Sequence, residues 1–365
     1  MSSSRSLGQA SSPGVQRHLS AAEARAQAQQ IAFGPVLFQA CWVMRKVGML
    51  EAIGRSGAEG LTLEGIAERS KASRYAVKVL TDIAATAGVL WRREGRFGLT
   101  KTGHMLAFDD MTGVNMNFVG DVCYRGMEHL GEALSEGRPA GLVEFGAWPT
   151  IYEGLRHLPE PAKGSWFAFD HFYSDRSFPE ALPHVFASRP RTILDVGGNT
   201  GKWALTCLRH DPDVRVVAVD LPGQLRELER AVAAAGFADR LTTVSADMLD
   251  AASALPSGAD VIWMSQFLDC FAEEEIVAIL RKAAAAMTPE TRLFVLETFI
   301  DRQRFDAAAL CLAATSLYFT VMANGNSRMY RAEDFVPLVE RAGLRVAEQI
   351  DDVGLGHTLL RCAKG

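Results

Sequence analysis

The spacing of apolar positions changes character along this chain. From Ala21 they recur at helical intervals. Gly60-Leu-Thr-Leu-Glu-Gly-Ile-Ala-Glu-Arg-Ser70 reads as a short helix opened by a Thr62 cap, and Arg74 to Gly88 carries a second helical pattern after a turn at 71–73. Val89 to Leu99 reads as two short strands around Glu94-Gly95. Helix, turn, helix and hairpin together predict a winged helix. Residues from about 105 to 188 read as mainly helical and rich in aromatics. At Thr192 the pattern switches to short apolar runs, at 192–196, 215–219, 241–244, 260–265 and 292–298. Helical stretches such as 225–235 and 273–286 alternate with them, and 358–362 reads as a closing strand. Strand–helix alternation predicts an α/β fold with a mostly parallel sheet and helices on both faces.

A chain of 365 residues exceeds one compact core, so more than one domain is expected. The boundaries read as a Ser/Gly-rich disordered tail at 1–18, a winged-helix domain at 19–108, a helical connector and pocket segment at 109–188, and a nucleotide-type α/β domain at 189–365. Net charge is −5, and the basic residues near the winged helix (Lys71, Arg74, Lys78, Arg92, Arg93, Arg96) are interleaved with acids, which argues against nucleic acid as a partner. No apolar run approaches the roughly 18 residues that span a bilayer, and the first residues lack the apolar core of a signal peptide. The 6 cysteines are scattered without Cys-x-x-Cys spacing, a reduced pattern with no metal framework. A cytoplasmic location is the expectation, with no membrane partner.

The chemistry concentrates in the α/β half. Ile193-Leu-Asp-Val-Gly-Gly-Asn-Thr-Gly-Lys202 runs a strand into an acid, a glycine turn and a helix; Val216-Val-Ala-Val-Asp220 is a second strand ending in an acid. That acid, roughly 20 residues past the glycines, is placed to accept from ribose hydroxyls, as in Rossmann-like folds. Asp195 at the first strand end would repel a pyrophosphate but hold a cationic amino-acid ligand, which favours S-adenosylmethionine over NAD. Asp247 and Met248 suit an adenine amine and face, and the strand ending in Ser265-Gln266 reaches the crevice where ligands bind. The cofactor set is therefore Asp195, Gly197, Gly198, Asp220, Leu221, Asp247, Met248, Ser265 and Gln266, with no metal ligand.

Asp195-Val-Gly-Gly-Asn-Thr-Gly201, Asp220-Leu-Pro222 and Glu273-Glu-Glu-Ile-Val-Ala-Ile-Leu-Arg281 resemble the S-adenosylmethionine-dependent O-methyltransferases related to plant caffeate methyltransferases, whose bacterial relatives act on hydroxyindoles, phenazines and polyketides. The resemblance spans about residues 25–365. It implies a class I methyltransferase domain, a winged-helix domain that forms an intertwined homodimer, a small aromatic acceptor, and adenine stacking by Phe271. It departs at the chemistry. The family's Leu-His-Asp-Trp segment carries its base; here the segment is Leu268-Asp269-Cys270-Phe271, with Asp269 in the histidine's place. Of the family's two orienting acids, one matches Glu297, and the other falls near Met329.

Candidate catalytic residues are therefore Asp269, Glu297 and His171, with His357 a further histidine within reach of the argument. Asp269 serves as base if burial raises its pKa. The expected reaction is methyl transfer to a phenol-like oxygen. Transfer to a ring carbon, non-methylating chemistry such as hydroxylation or decarboxylation, and a winged-helix DNA-binding regulator stand as alternatives.

Overall fold

The computed structural model describes residues 19–365. The expected tail at 1–18 lies outside them. The described chain divides into two compact units. One holds residues up to Arg125 together with His157–Phe169; the other holds Gly126–Arg156 and Asp170–Gly365.

The first unit begins with helices Ala21–Ala32 and Gly34–Lys46. Ser20 and Glu23 close a reciprocal cap on the first of these, satisfying backbone N–H groups the helix leaves open. The expected winged helix follows. Helix Leu63–Arg69 starts at Thr62, whose hydroxyl accepts from the Gly65 N–H at 3.2 Å, and helix Arg74–Thr86 starts at Ser73. Strands β1 (Leu61–Thr62), β2 (Leu90–Arg93) and β3 (Arg96–Leu99) form a small antiparallel sheet in the order β1-β3-β2. Glu94 and Gly95 both adopt positive φ, 48° and 74°, the backbone that a two-residue hairpin turn requires. Met44, Met49, Leu50, Ile53, Ile66, Val77 and Phe97 fill the core. The paired helices leave Ile31 (79% exposed), Phe33 (64%) and Val36 (56%) uncovered.

The second unit is built on a seven-stranded sheet. Its strands are β4 (Thr192–Val196), β5 (Arg215–Asp220), β6 (Leu241–Ser245), β7 (Val261–Ser265), β8 (Arg292–Glu297), β9 (Leu344–Val353) and β10 (His357–Lys364). The order is β6-β5-β4-β7-β8-β10-β9, with β4 to β8 parallel and β10 antiparallel to both β8 and β9. Period-two alternation feeds two cores. Ile193 packs with Trp203, Val216 and Trp263 on one face, while Leu194 and Val196 pack with Ile262, Ile276 and Leu280 on the other. Strand order reverses at β4, which opens a crevice at its carboxyl end.

Two features differ from the sequence reading. Strand β9 was not anticipated, because Arg345, Ala347, Glu348, Gln349 and Asp351 are exposed and break any apolar run. Second, one helical stretch among the described residues, Asp306–Ala323, is long and apolar enough to cross a membrane by length and composition, with mean hydropathy 1.5 and 28% of it buried. This corrects the expectation that no such run exists. Thr315, Ser316 and Thr320 interrupt the apolar letters, but each hydroxyl donates to the carbonyl four residues back and is satisfied within the helix.

Candidate active site

The glycine turn after β4 closes over a tightly held loop. Gly197 has φ +79°, and a Cβ there would meet the Phe267 ring at 2.4 Å; a Cβ on Gly198 would meet Leu228 at 2.9 Å. Asn199 also adopts positive φ, 45°, and its N–H donates to Asp220 at 2.8 Å. The second Asp220 oxygen accepts from the Leu221 N–H at 2.7 Å. The acid at the end of β5 thus braces both the glycine loop and the start of helix Pro222–Ala234. Burial pushes its pKa up, and these two N–H donors work against that.

Asp195 lies beneath the loop, 2% exposed, with Oδ2 lacking any hydrogen-bond partner. Burial, then the neighbouring Asp220, push its carboxyl up to about 8. A buried carboxyl without a donor is costly in the folded chain, so this oxygen marks where a cationic or hydrogen-bonding ligand group fits. The cleft above it is lined by Asp195, Gly197, Gly198, Ser265, Gln266 and His171, which brings together six of the residues singled out from sequence. Ser265 Oγ and Gln266 Oε1 are also buried without partners, and Gln266 holds a strained φ of 46°. Trp203 and Trp263 stack at 3.9 Å and line the same cleft.

The remaining cofactor candidates are placed otherwise. Asp247 is exposed, and its Oδ1 accepts from the Leu249 N–H at 2.9 Å. Met248 is 6% exposed within the core, its carbonyl receiving the Lys282 ammonium at 2.7 Å. Phe271 meets Phe267 edge-on at 4.9 Å.

Two of the catalytic candidates, Asp269 and Glu297, meet at the ends of β7 and β8. Glu297 is 1% exposed, and its Oε1 accepts the N–H groups of Phe267 at 3.0 Å and Leu268 at 2.9 Å. These two bonds fix the short turn Leu268–Cys270 that carries Asp269, itself 6% exposed. Glu297 Oε2 has no partner. Burial raises the Asp269 carboxyl to about 6, while the Cys270 thiol and nearby backbone N–H groups restrain the rise. Burial and the adjacent Asp269 hold Glu297 well above the usual carboxylate range. Asp269 does not cap the following helix: Ala272 occupies that position, and the Glu275 carboxylate takes its N–H at 2.8 Å. Met329 Sδ accepts from Thr298 Oγ1 at 3.6 Å, so a thioether stands beside Glu297 on the next residue's side chain.

His171 reaches the cleft from helix Ala162–Phe186, 3.8 Å from Asp170 and 3.9 Å from Asp175. His357 is wholly buried and shares a 2.7 Å hydrogen bond with Ser177 away from the cleft lining. Sequence reasoning missed Asp170, whose carboxylate accepts from Asn199 Nδ2 at 3.2 Å. It also missed Tyr152, whose buried hydroxyl lies beside the Cys270 thiol and near Asp269. An acid inside the aromatic run Phe167–Phe172 was the available signal for the first; nothing local marks the second.

A crevice at a strand-order reversal, floored by an unpaired carboxyl and roofed by a glycine loop, is the ligand site of a Rossmann-like α/β fold, and its unpaired Asp195 carboxyl fits a cationic ligand such as S-adenosylmethionine. Residues 25–97 match the Dimerisation2-like domain and residues 179–345 the O-methyltransferase domain. The chain is similar to the O-methyltransferase SfmM3 of Streptomyces lavendulae, 26% identical over 264 residues that cover 64% of this chain and 78% of that one. It is likewise similar to the 3-amino-4-hydroxybenzoate 4-O-methyltransferase of Streptomyces cremeus, 26% identical over 84% of this chain and 82% of that one. The fold matches the S-adenosylmethionine-dependent methyltransferase SibL with a TM-score of 0.71 at 24% identity, covering 93% of this chain and 99% of that one. Residues 179–345 carry the O-methyltransferase domain, and the chain is an S-adenosylmethionine-dependent methyltransferase.

Proposed function

We propose that this enzyme methylates a phenol-like oxygen of a small aromatic acceptor in bacterial secondary metabolism, working as a homodimer, with Asp269 as the proton acceptor. The observation that carries the reading is the Asp269–Glu297 arrangement. A carboxylate that is almost wholly buried, on a turn pinned by two hydrogen bonds, stands at the position where the resembled family carries its histidine base. When bound, S-adenosylmethionine supplies a methyl group on a cationic sulfur. Asp195, Gly197, Gly198 and Asp220 would hold it, with Ser265 and Gln266 at the cleft wall. Asp269 takes the acceptor's hydroxyl proton, and its raised pKa brings it close to the operating pH, where a general base is most effective. Glu297 keeps that carboxyl in position, and burial and Asp269 hold its own pKa well above the usual carboxylate range. His171 stands at the donor cleft rather than against Asp269, and we assign it to donor binding. Exposed Ile31, Phe33 and Val36 on the Dimerisation2-like domain support pairing with a second copy through that domain.

The test is incubation with methyl-labelled S-adenosylmethionine and a panel of phenols. Label on oxygen is expected. Label on a ring carbon points to the carbon-transfer alternative, and donor binding with no label on any acceptor points to non-methylating chemistry; either result sinks the oxygen assignment.

A further inference from the structure

Asp195, Asp269 and Glu297 are 2%, 6% and 1% exposed, and they stand at or just beyond the carboxyl ends of β4, β7 and β8. Asp170 approaches from helix Ala162–Phe186 and feels Asp269. Among the described residues, no lysine or arginine forms an ion pair with any of these four; His171 stands 3.8 Å from Asp170. Two of the buried oxygens, Asp195 Oδ2 and Glu297 Oε2, have no hydrogen-bond partner. Of the other charged groups nearby, Lys202 lines the cleft with Asp170 and Asp195 but is paired with Asp175 at 3.1 Å, and Arg328 lies over the Tyr330 ring, paired with Glu273 and Asp334. Asp220 faces Asp195 from β5. Cys270, Tyr152, Tyr330 and Glu297 surround Asp269 from its own turn, from helix Ile151–Gly154, from the segment before helix Ala332–Arg341 and from β8. Glu297 bonds the turn that carries Asp269, and Asp170 shares a cleft with Asp195; buried carboxyls so placed, none ion-paired to a lysine or arginine among the described residues, resist being ionised together, and their protons belong to the group rather than to one residue.

A sulfonium brings one full positive charge into such a site, and the demethylated product does not. The amino-acid ends of donor and product carry the same charges, so the sulfur is the difference. We propose that this carboxyl cluster retains a proton in the ligand-free enzyme and releases it when the cationic methyl donor binds, whereas the neutral-sulfur product leaves it protonated, so that the enzyme tells donor from product by charge. The inference rests on the crevice being the donor site. It gives the Asp-for-His exchange a physical purpose. Over one turnover the cluster goes from ionised to protonated as the sulfur goes from cationic to neutral, and the proton gained is the one lost by the acceptor hydroxyl. The O–H and S–methyl bonds break, the O–methyl bond forms, and the buried site ends with the net charge it began with.

Calorimetric titration of the full chain with S-adenosylmethionine, and separately with S-adenosylhomocysteine, in phosphate and in Tris at pH 7 counts the protons exchanged. The donor is expected to release about one proton more than the product, and donor affinity relative to product is expected to rise about tenfold per pH unit while that proton is being lost. The range for this rise is set by Asp269 at about 6 and Asp195 at about 8. Asp269→Asn and Glu297→Gln should each shrink the difference in proton count. Equal release with both ligands overturns the inference while leaving the donor site intact. Binding of neither ligand overturns the donor site as well. A wild-type difference that survives in both variants overturns the assignment to this cluster.

Discussion

One oxygen of Glu297 accepts the backbone N–H groups of both Phe267 and Leu268, at 3.0 and 2.9 Å, and so ties the end of β8 to the turn that presents Asp269. The same carboxyl supports the turn and sets the electrostatics of the proposed base. Replacing Glu297 with Ala strands two buried N–H groups and should cost about 2–4 kcal/mol in unfolding free energy. Glu297→Gln keeps the carbonyl oxygen and should lie within about 1 kcal/mol of wild type. Chemical denaturation midpoints check this. Equal losses in the two variants would remove the hydrogen bonds as the explanation.

Asp269 must be ionised to accept a proton. With its carboxyl raised to about 6, kcat should climb with pH on the acid side and level off above that value. Asp269→Asn should lower kcat by about 10²–10⁴-fold and abolish that limb. A pH–rate profile on both proteins decides the matter: an Asn variant with the wild-type limb would exclude Asp269 as base.

Gly197→Ala places a methyl where the Phe267 ring lies 2.4 Å away and forces an L-residue to φ +79°. The strain should amount to about 1–2 kcal/mol before any movement of Phe267. Since Gly197 lines the cleft proposed for the donor, affinity for S-adenosylhomocysteine should fall at least about tenfold by calorimetry, since a 1.4 kcal/mol loss is a tenfold change. Unaltered affinity would show that the loop is not a donor contact.

His357 is wholly buried beside Ser177, and burial drops it from 6.5 to about 4. The unfolded chain therefore binds a proton that the folded chain refuses between those values, so stability is full above pH 6.5 and declines as pH falls towards 4. The contribution is about 3 kcal/mol. His357→Gln should flatten this part of the stability–pH curve. An unchanged slope would assign the acid sensitivity to other groups.

Asp195 works in the opposite direction. Its folded-state carboxyl is raised to about 8, so stability present at low pH is lost as pH rises towards that value. Asp195→Asn should stabilise the ligand-free protein at pH 8 by about 1–3 kcal/mol while abolishing measurable donor binding. Thermal unfolding with and without S-adenosylhomocysteine separates the two effects, and a variant neither stabilised nor impaired would discount the unpaired oxygen.

The elements with strong local signals were legible. The 94–95 turn, the Thr62 cap and the β4–β5 pair with terminal acids follow from spacing alone, because turn chemistry and period-two alternation act over a few residues. Strand β9 was not legible: it lies at the sheet edge with mostly exposed side chains, and its pairing with β10 supplies what its sequence does not advertise. Asp195 and Asp269 stood out as acids at strand ends, yet their missing partners did not, since burial without a donor belongs to three-dimensional packing.

The linear chain determined the α/β alternation, the winged-helix half, the glycine loop and the substitution of Asp269 for histidine, all of them written in neighbouring residues. Only the tertiary structure decided that Glu297, 28 positions away, pins the Asp269 turn, that Asp170 lines the same cleft as Asp195, and that, among the described residues, none of these carboxyls is ion-paired with a lysine or arginine. The reason is dielectric: a carboxylate's pKa and hydrogen bonds are fixed by what surrounds it once water is removed, and sequence spacing does not specify those neighbours.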